Sequence, residues 1–362
     1  MKDKYIGFDI DSNKTVACVV QQGCQDQYAT LKTDLAQMQQ YLARQRQEGQ
    51  TVHLTFEISG DAGWRYDALR PYVDTLTVSN PGKMTWIYRT GKKNDRIDAR
   101  KQAVLLSIGE VPRVHIPRPA IRQWRAAIQQ RRGIVNRIVS LKNRIRALLK
   151  ANGLPRPLHK GSWWKAANLD WMGEQAKDWA AAAADSLWRV HLSNLLEELK
   201  LLKSQLKSLT DYLDRYLATQ AGGTLLMSIP GVGPRTAEAV LAYTDDVRRF
   251  KRAKQYGAYF GLTPKLDESG TTRHLGHISR EGPSVVRWLI VESVWRVIRQ
   301  SKGFQAFYDR IVGGQTGRKK VAVVATARKL LTVMRAMQLS GELFNEQMLS
   351  GADDPEPQAA EA

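Results

Sequence analysis

A leucine repeat in the second half of the chain restricts the fold more than any other feature. Its members alternate between spacings of three and four residues, which places them on one stripe of an α-helix. A stripe of that length has to be covered by a second helix, so the repeat predicts a coiled-coil seam. The repeat consists of Leu192, Leu195, Leu199, Leu202, Leu206, Leu209 and Leu213.

A suitable partner helix precedes the leucine repeat. Apolar residues recur at three- and four-residue spacing between Ile134 and Leu148, which indicates an amphipathic helix. From Arg113 to Lys150 the chain carries eleven basic residues and no acidic one, so the polar face is positive. We expect an antiparallel helical hairpin or a dimerisation arm, with this face either merely solvated or in contact with phosphates. The predicted phosphate contacts are Arg122, Arg125, Arg132 and Arg144.

The overall charge points to a polyanionic partner. The 362 residues include 55 Lys and Arg against 35 Asp and Glu, a net charge of +20. Nucleic acid is the first candidate and an anionic membrane the second. The membrane is disfavoured because the chain has no apolar stretch of membrane-spanning length. With two cysteines and no secretory signal, the composition predicts a soluble protein of a reducing compartment.

The first 112 residues have an α/β pattern. Three early strands are followed by alternating helix and strand, which is the chain order of an RNase H-like (RuvC-like) fold, although another mixed sheet is also possible. We expect strands at Tyr5–Ile10, Val16–Val20, Val52–Ile58 and Thr75–Val78, with helices at Asp34–Arg44 and Ala62–Leu69. The predicted regions are 1–112, an α/β domain; 113–222, the coiled-coil hairpin; 223–349, a mostly helical domain with a loop-rich centre at 263–283; and 350–362, a disordered acidic tail.

Four carboxylates fall where such a sheet would gather them. Asp9 and Glu57 end the first and fourth strands, which are neighbours in an RNase H-like sheet. Asp95 and Asp98 are three residues apart and share a helix face. Grouped carboxylates need cations, and hard divalent ions such as Mg²⁺ or Mn²⁺ serve phosphoryl transfer.

Plainer roles for these acids stay open. Each could be a surface carboxylate, Asp95 could be a helix N-cap, and Asp11 competes with Asp9 for the end of the strand. Spacing alone leaves a nuclease, a transposase and a polynucleotide exonuclease as candidates.

Residues 228–243 have the form of a helix-hairpin-helix. The backbone around Gly231 and Gly233 would form a tight turn facing a phosphate, helped by the dipole of the following helix. A Gly-x-Gly after proline is also a common turn.

A polar segment, expected to be a loop, follows between Gly261 and Pro283. Ser269 precedes Gly270 there, and Arg273 and Arg280 could stabilise charge on a phosphate. The same segment holds a His-x-x-Arg motif ending at Arg280, and with Tyr308 this suggests a rival tyrosine mechanism.

A tryptophan-rich stretch separates the two long helices. It is expected to pack one helix on the other, and the alternative is stacking on bases of single-stranded nucleic acid. The residues are Trp163, Trp164, Trp171 and Trp179.

Five short motifs, taken in order, resemble one family. GFDIDSNK, FEISG, NDRIDAR, SIPGVGPRTA and GLTPKLDESG occur in the order seen in the DEDD insertion-sequence transposases. That family includes the pilin-gene invertase and the bridge-RNA-guided recombinases. The resemblance covers nearly the whole chain and implies a RuvC-like domain, a coiled coil and a C-terminal transposase domain.

The resemblance also implies site roles. Asp9, Glu57, Asp95 and Asp98 correspond to the metal-binding DEDD set, and Ser269 to the nucleophile that becomes linked to DNA. It further implies a structured noncoding bridge RNA that pairs with donor and target DNA, in the cytoplasm of a bacterium or archaeon and associated with the nucleoid. The sequence ISREGP departs from the family, which more often has a lysine and a Gly-Asn step there, so Arg280 carries over less securely.

The combined interpretation is a DNA recombinase of a mobile element that works through a phosphoserine intermediate. Recombination joins at least two cleaved duplexes, so we expect a homo-oligomer, either a dimer or a tetramer. One alternative is a RuvC-like junction nuclease in which metal-activated water attacks. The other is a noncatalytic RNA-binding scaffold built on the coiled coil.

Overall fold

The computed structural model describes residues 3–84, 94–154, 162–177, 183–269 and 272–349. The chain divides into two compact units, residues 1–119 and 120–362, which we call the sheet unit and the helical unit. The predicted acidic tail at 350–362, Trp179 and Gly270 lie outside the described residues.

A mixed sheet forms the centre of the sheet unit. Its order is β3-β2-β1-β4-β5-β6. β1 runs antiparallel to β2 and parallel to β4, so the predicted pairing of the first and fourth strands is confirmed. The strands are β1 (Lys4–Ile10), β2 (Lys14–Val20), β3 (Gln27–Lys32), β4 (Val52–Glu57), β5 (Thr75–Ser79) and β6 (Arg113–Val114).

Helices cover both faces of this sheet. Ile6 and Phe8 of β1 are buried against α1 (Leu35–Gln45) and α2 (Ala62–Leu69). Successive side chains of a strand point to opposite faces, so Gly7 faces α3 (Asp95–Ser107) on the other side.

The contact between β1 and α3 is close enough to require glycine. A Cβ atom at Gly7 would lie 2.7 Å from the Ala103 nitrogen and would also collide with the Ala99 carbonyl oxygen. The absence of a side chain lets α3 lie directly on β1. This contact fixes the first turn of α3, with its acidic residues, relative to the end of the strand.

Two long helices, α4 (Pro119–Ala151) and α6 (Trp188–Ala218), begin the helical unit, with α5 (Ala166–Gln175) between them. They run antiparallel: the Trp124 ring near the start of α4 meets the Tyr216 ring near the end of α6, with 5.0 Å between centroids. The two apolar seams share one core, so the leucine stripe is covered within the chain. Trp163, Trp164 and Trp171 pack against this core, as the packing interpretation predicts.

The rest of the helical unit packs around α10 and α12. Val294 and Leu330 are fully buried in its core, which also takes in Trp124 and Leu217 of the two long helices. The further elements are α7 (Ala221–Met227), α8 (Pro234–Thr244), α9 (Ala253–Tyr259), β7 (Pro264–Ser269), β8 (Thr272–Ile278), α10 (Ser284–Gln300), α11 (Lys302–Val312) and α12 (Lys319–Ser340).

The segment 263–283, predicted to be rich in loops, contains two strands instead. β7 and β8 pair there as an antiparallel hairpin. The sequence does not indicate these strands, because polar residues dominate and no apolar alternation marks a buried face.

Within the described parts of the chain, no helix has the length and apolar character to cross a membrane.

Candidate functional site

The sheet brings Asp9 and Glu57 to the same edge. β1 and β4 are parallel, and their register pairs Phe8 with Phe56. The next step along both strands is Asp9 and Glu57, so both acids lie at the carboxyl ends of neighbouring strands. Asp9 also lies two residues beyond Gly7, on the face that α3 covers.

The first turn of α3 supplies the other two acids to this edge. Asp95 is the first residue of α3, and Asn94 is the N-cap, its side chain accepting from the Arg96 N–H at 3.0 Å. The alternative that Asp95 is the cap is therefore wrong. Asp95 and Asp98 lie one turn before Ala99 and Gln102, which contact Gly7. We call Asp9, Glu57, Asp95 and Asp98 the acid edge.

Lys14 forms an ion pair with the acid edge. Lys14 is the first residue of β2, just beyond the end of β1, and its Nζ lies 2.6 Å from Asp95 Oδ2. The hydrogen bond and the charge of Asp95, followed by the charges of Asp11 and Asp9, raise the pKa of the Lys14 ammonium group. The ammonium therefore lies in the combined negative field of carboxylates from the strand end and from α3.

The donor chemistry of the acid edge fits a hard divalent cation, because carboxylate oxygens are the ligands that Mg²⁺ and Mn²⁺ prefer. Across the described residues, however, no three Asp, Glu, His or Cys side chains are grouped closely enough to hold a metal ion. The structure thus gathers the predicted acids at one edge, beside a lysine, without assembling a coordination shell.

Ser269 is the last residue of β7 and pairs with Thr272 across the tip of the hairpin. The backbone of Ser269 and Arg273 is described, whereas their side chains are not. Arg280 follows β8 with an exposed side chain, and its backbone has a φ of 55°. Its N–H donates to the Gly261 carbonyl at 3.2 Å, which ties the turn before α10 to the start of the hairpin.

The residues of the rival tyrosine mechanism lie on separate elements. His277 is exposed near the end of β8. Tyr308, on α11, is half-buried against the core, and its ring meets the Trp295 ring at 6.3 Å between centroids. The structure thus assigns Tyr308 a packing contact.

The predicted helix-hairpin-helix is formed by α7, α8 and the turn between them. Gly231 has a φ of 91°, and a Cβ atom there would lie 2.6 Å from the Val297 nitrogen of α10. Glycine is required because the turn packs directly on that helix. Gly233 is the N-cap of α8 and has open space beside its Cα, so its position does not require glycine in the way that Gly231 does.

The four predicted phosphate-binding arginines differ in their surroundings. The Arg125 guanidinium donates to the carbonyls of Ala242 at 2.8 Å and Tyr243 at 2.9 Å, so its donors are engaged at the end of α8. Burial lowers the pKa of Arg125. Arg144 is exposed, whereas Arg122 and Arg132 are half-buried.

Sequence reasoning missed a buried ion pair in the helical unit. Glu238 of α8 is fully buried and pairs with Arg131 of α4 and with Arg235, which also pairs with Asp214. A signal was available: Arg131 follows Ile128 by three residues and precedes Ile134 by three, so it lies on the apolar stripe of its helix.

Two family models match this chain. The model of DEDD transposases of the IS110 type matches residues 6–152. The model described as the transposase IS116/IS110/IS902 family matches residues 223–309. The first range contains the whole acid edge, and the second contains the helix-hairpin-helix and the β7–β8 hairpin.

Individual relatives agree with these models. A "Probable family 20 transposase" of Pseudomonas aeruginosa is 26% identical over 76% of this chain and 79% of its own length. The transposase for insertion sequence element IS1111A of Coxiella burnetii is 28% identical over 59% of this chain and 57% of its own. The pilin gene-inverting protein of Moraxella lacunata is 31% identical over 34% of this chain and 39% of its own.

Proposed function

The chain belongs to the IS116/IS110/IS902 family of transposases, and from this premise we propose that it is the DNA recombinase of an insertion sequence. The observation that carries the proposal is the acid edge. Asp9 and Glu57 end two parallel strands, and the first turn of the helix packed on these strands carries Asp95 and Asp98. The strand order β3-β2-β1-β4-β5 supports an RNase H-like classification of this unit.

In the proposed site, Asp9, Glu57, Asp95 and Asp98 hold Mg²⁺ or Mn²⁺. The bound cations would neutralise charge on the scissile phosphate and favour ionisation of the attacking hydroxyl. Lys14 partly neutralises the acid edge beforehand, through its ion pair with Asp95. This arrangement lowers the repulsion among the acids while leaving them near the surface.

Ser269 is the proposed nucleophile. Its hydroxyl oxygen forms a bond to the phosphorus while the bond from phosphorus to one sugar oxygen of the DNA breaks. The serine proton passes to a base or to water, and the sugar oxygen leaves with a proton. Arg273 and Arg280 would stabilise the extra negative charge at the phosphate. Strand exchange follows when a sugar hydroxyl of another DNA end attacks the phosphoserine and restores Ser269.

The remaining charge serves nucleic-acid binding. Arg122, Arg132 and Arg144 of α4 are proposed to contact phosphates, as are the backbone groups of Gly231 and Gly233. Arg125 is omitted because its donors are engaged inside the fold. On the strength of the family resemblance, the partners are donor and target DNA and a structured bridge RNA, and the protein acts as a dimer or tetramer.

Detection of a covalent protein–DNA adduct on a denaturing gel tests this mechanism. Purified protein is incubated with its element DNA, the transcribed RNA of the element and Mg²⁺. We expect an adduct with the wild-type protein, none with Ser269→Ala, and an adduct with Tyr308→Phe. An adduct that persists in Ser269→Ala and disappears in Tyr308→Phe would favour the tyrosine mechanism. Cleavage without any adduct would favour the junction nuclease.

A further inference from the structure

Helix α10 presents two tryptophan side chains to solvent. Trp288 is 52% exposed and Trp295 is 40% exposed. They are seven residues apart, so they lie on one side of the helix, about 10 Å from each other along its axis. With the first turn of α8, they line a groove of about 570 Å³ that also includes Arg235 and Thr236.

The groove is basic as well as aromatic. Arg296 and Arg299 of α10 line it with exposed side chains, and Glu292 is an acidic residue in the same lining. The Nε of Arg299 donates to the Trp295 backbone carbonyl at 2.8 Å, which holds the guanidinium against the helix. Arg132 of α4 lies 6.0 Å from the centre of the Trp288 ring.

Contacts at the rim hold both rings without covering them. Arg132 is placed by a hydrogen bond of 3.4 Å to the Ser284 hydroxyl, and the edge-on contact with Tyr308 supports Trp295. Exposed apolar surface rimmed by polar groups marks interaction sites more often than scattered apolar side chains do. Flat rings interleaved with guanidinium groups suit nucleotides, because the bases stack on the rings while the phosphates meet the cations.

We propose that this groove binds unpaired nucleotides of a DNA strand, with bases stacked on Trp288 and Trp295 and phosphates bound by Arg296 and Arg299. The strand must be unpaired, since the faces of paired bases are covered by their neighbours in the duplex. The turn of the helix-hairpin-helix packs on α10 through Gly231, so a backbone held at that turn passes close to the groove. The choice of DNA over RNA rests on the proposed strand-cleaving function. The stacking of bases on the two rings does not depend on that function.

Binding of a fluorescein-labelled oligothymidylate, measured by anisotropy, tests the proposal. The full-length chain is used in the Asp9→Asn background and in EDTA, so that failure of the cleavage chemistry cannot affect the result. Replacement of Trp288 or Trp295 by Ala should weaken binding about tenfold each. Trp64→Ala is the matched control, because Trp64 is 57% exposed, lies beside Arg65 and belongs to the sheet unit. It should bind as the parent does.

Additional variants separate stacking from packing. Trp288→Leu keeps an apolar side chain without a flat ring and should bind as weakly as Trp288→Ala, whereas Trp288→Phe should bind more tightly than either. Arg299→Gln should reduce the slope of log K against log salt concentration by about one, which corresponds to the loss of one phosphate contact. Thermal unfolding followed by circular dichroism identifies any variant that fails to fold. If the Ala or Leu variant does not fold, the affinity of Trp288→Phe is compared with that of the parent protein.

Three results would overturn the proposal. Binding in both tryptophan variants that equals the Trp64→Ala control would exclude the groove as a site. Unchanged oligonucleotide binding together with loss of oligomers in analytical ultracentrifugation would identify the surface as a protein contact. A larger loss for an oligouridylate than for the DNA strand would make RNA the occupant.

Discussion

The carboxylates of the two units differ in their burial and in their surroundings. In the helical unit, Glu238 is fully buried and ion-paired with Arg131 and Arg235. In the sheet unit, the acids of the acid edge are partly exposed, and their ion pairs include Lys14 with Asp95 at 2.6 Å and Lys101 with Asp98 at 3.9 Å. Glu238 is thus a buried carboxylate between two guanidinium groups, whereas the acids of the acid edge are partly exposed at one end of a sheet.

This difference separates a structural charge from a functional one. A buried carboxylate is tolerated only when paired, so Glu238 serves to join α4 to α8. Carboxylates that lie together at a partly exposed edge repel one another. Divalent cations relieve such repulsion and prefer oxygen donors, so the acid edge suits cation binding.

The largest effect is expected from the acid edge. Asp9→Asn should lower recombination by at least about a thousandfold, since loss of a metal ligand removes several kcal/mol of transition-state stabilisation. The same change should leave the free energy of unfolding within about 0.5 kcal/mol of the wild-type value, because it removes one of several repelling charges. A recombination assay with element DNA and a thermal melt without metal measure the two quantities.

Glu57→Gln extends this test to the neighbouring strand and should behave in the same way. Normal recombination by either variant would contradict the four-carboxylate site. A loss of folded protein large enough to account for the loss of recombination would mean that the acids hold the sheet together. The contrast with Glu238 would then disappear.

The second prediction reverses the pattern. Glu238→Gln should lower the free energy of unfolding by about 3 kcal/mol, because Arg131 is then left buried without a full counter-charge. Calorimetry should show the loss in the transition of the helical unit. Glu197→Gln, an exposed carboxylate change on α6, is the control and should alter stability by less than about 0.5 kcal/mol. Equal melting temperatures for the two variants would show that the buried pair is not structural.

Much of the sheet unit could be predicted because its local patterns agree with its packing. Ile6 and Phe8 alternate with Gly7 and Asp9, and the bounds of α2 match the prediction. The parallel neighbours β1 and β4 then bring Asp9 and Glu57 to one edge, since the carboxyl ends of parallel strands meet there. The placement of these two acids followed from topology, and their role as part of a metal site stays a prediction.

The helical unit was harder to predict because charge alone does not show which way a side chain points. Eleven basic residues on α4 and its approach indicated a phosphate-binding face, yet Arg131 is buried and Arg125 is engaged with backbone carbonyls. The β7–β8 hairpin was missed because its strands are polar. Trp288 and Trp295 would be assigned to a core by composition, and only the packing of α10 shows that they face solvent.

The smallest effect is expected at the opposite end of the same sheet, where Asp74 precedes β5. Its Oδ2 accepts from the Val52 N–H at 2.7 Å and its Oδ1 from Arg46 at 3.0 Å. The backbone hydrogen bond from Val52, followed by the charge and hydrogen bond of Arg46, lowers the pKa of Asp74. A backbone N–H and a guanidinium group engage this carboxylate, so it should stabilise the fold rather than serve catalysis.

Asp74→Asn should therefore leave recombination unchanged and lower stability by about 1 kcal/mol at neutral pH. A carboxylate whose pKa is lower in the folded state stabilises fully above its unfolded pKa, and the effect disappears as pH falls through the folded pKa. The difference between wild type and variant should thus be constant from pH 7 down to about 5 and shrink below about pH 4. Urea unfolding at a series of pH values measures it. A difference that persisted at the lowest pH would mean that the charge of Asp74 is not what stabilises this end of the sheet.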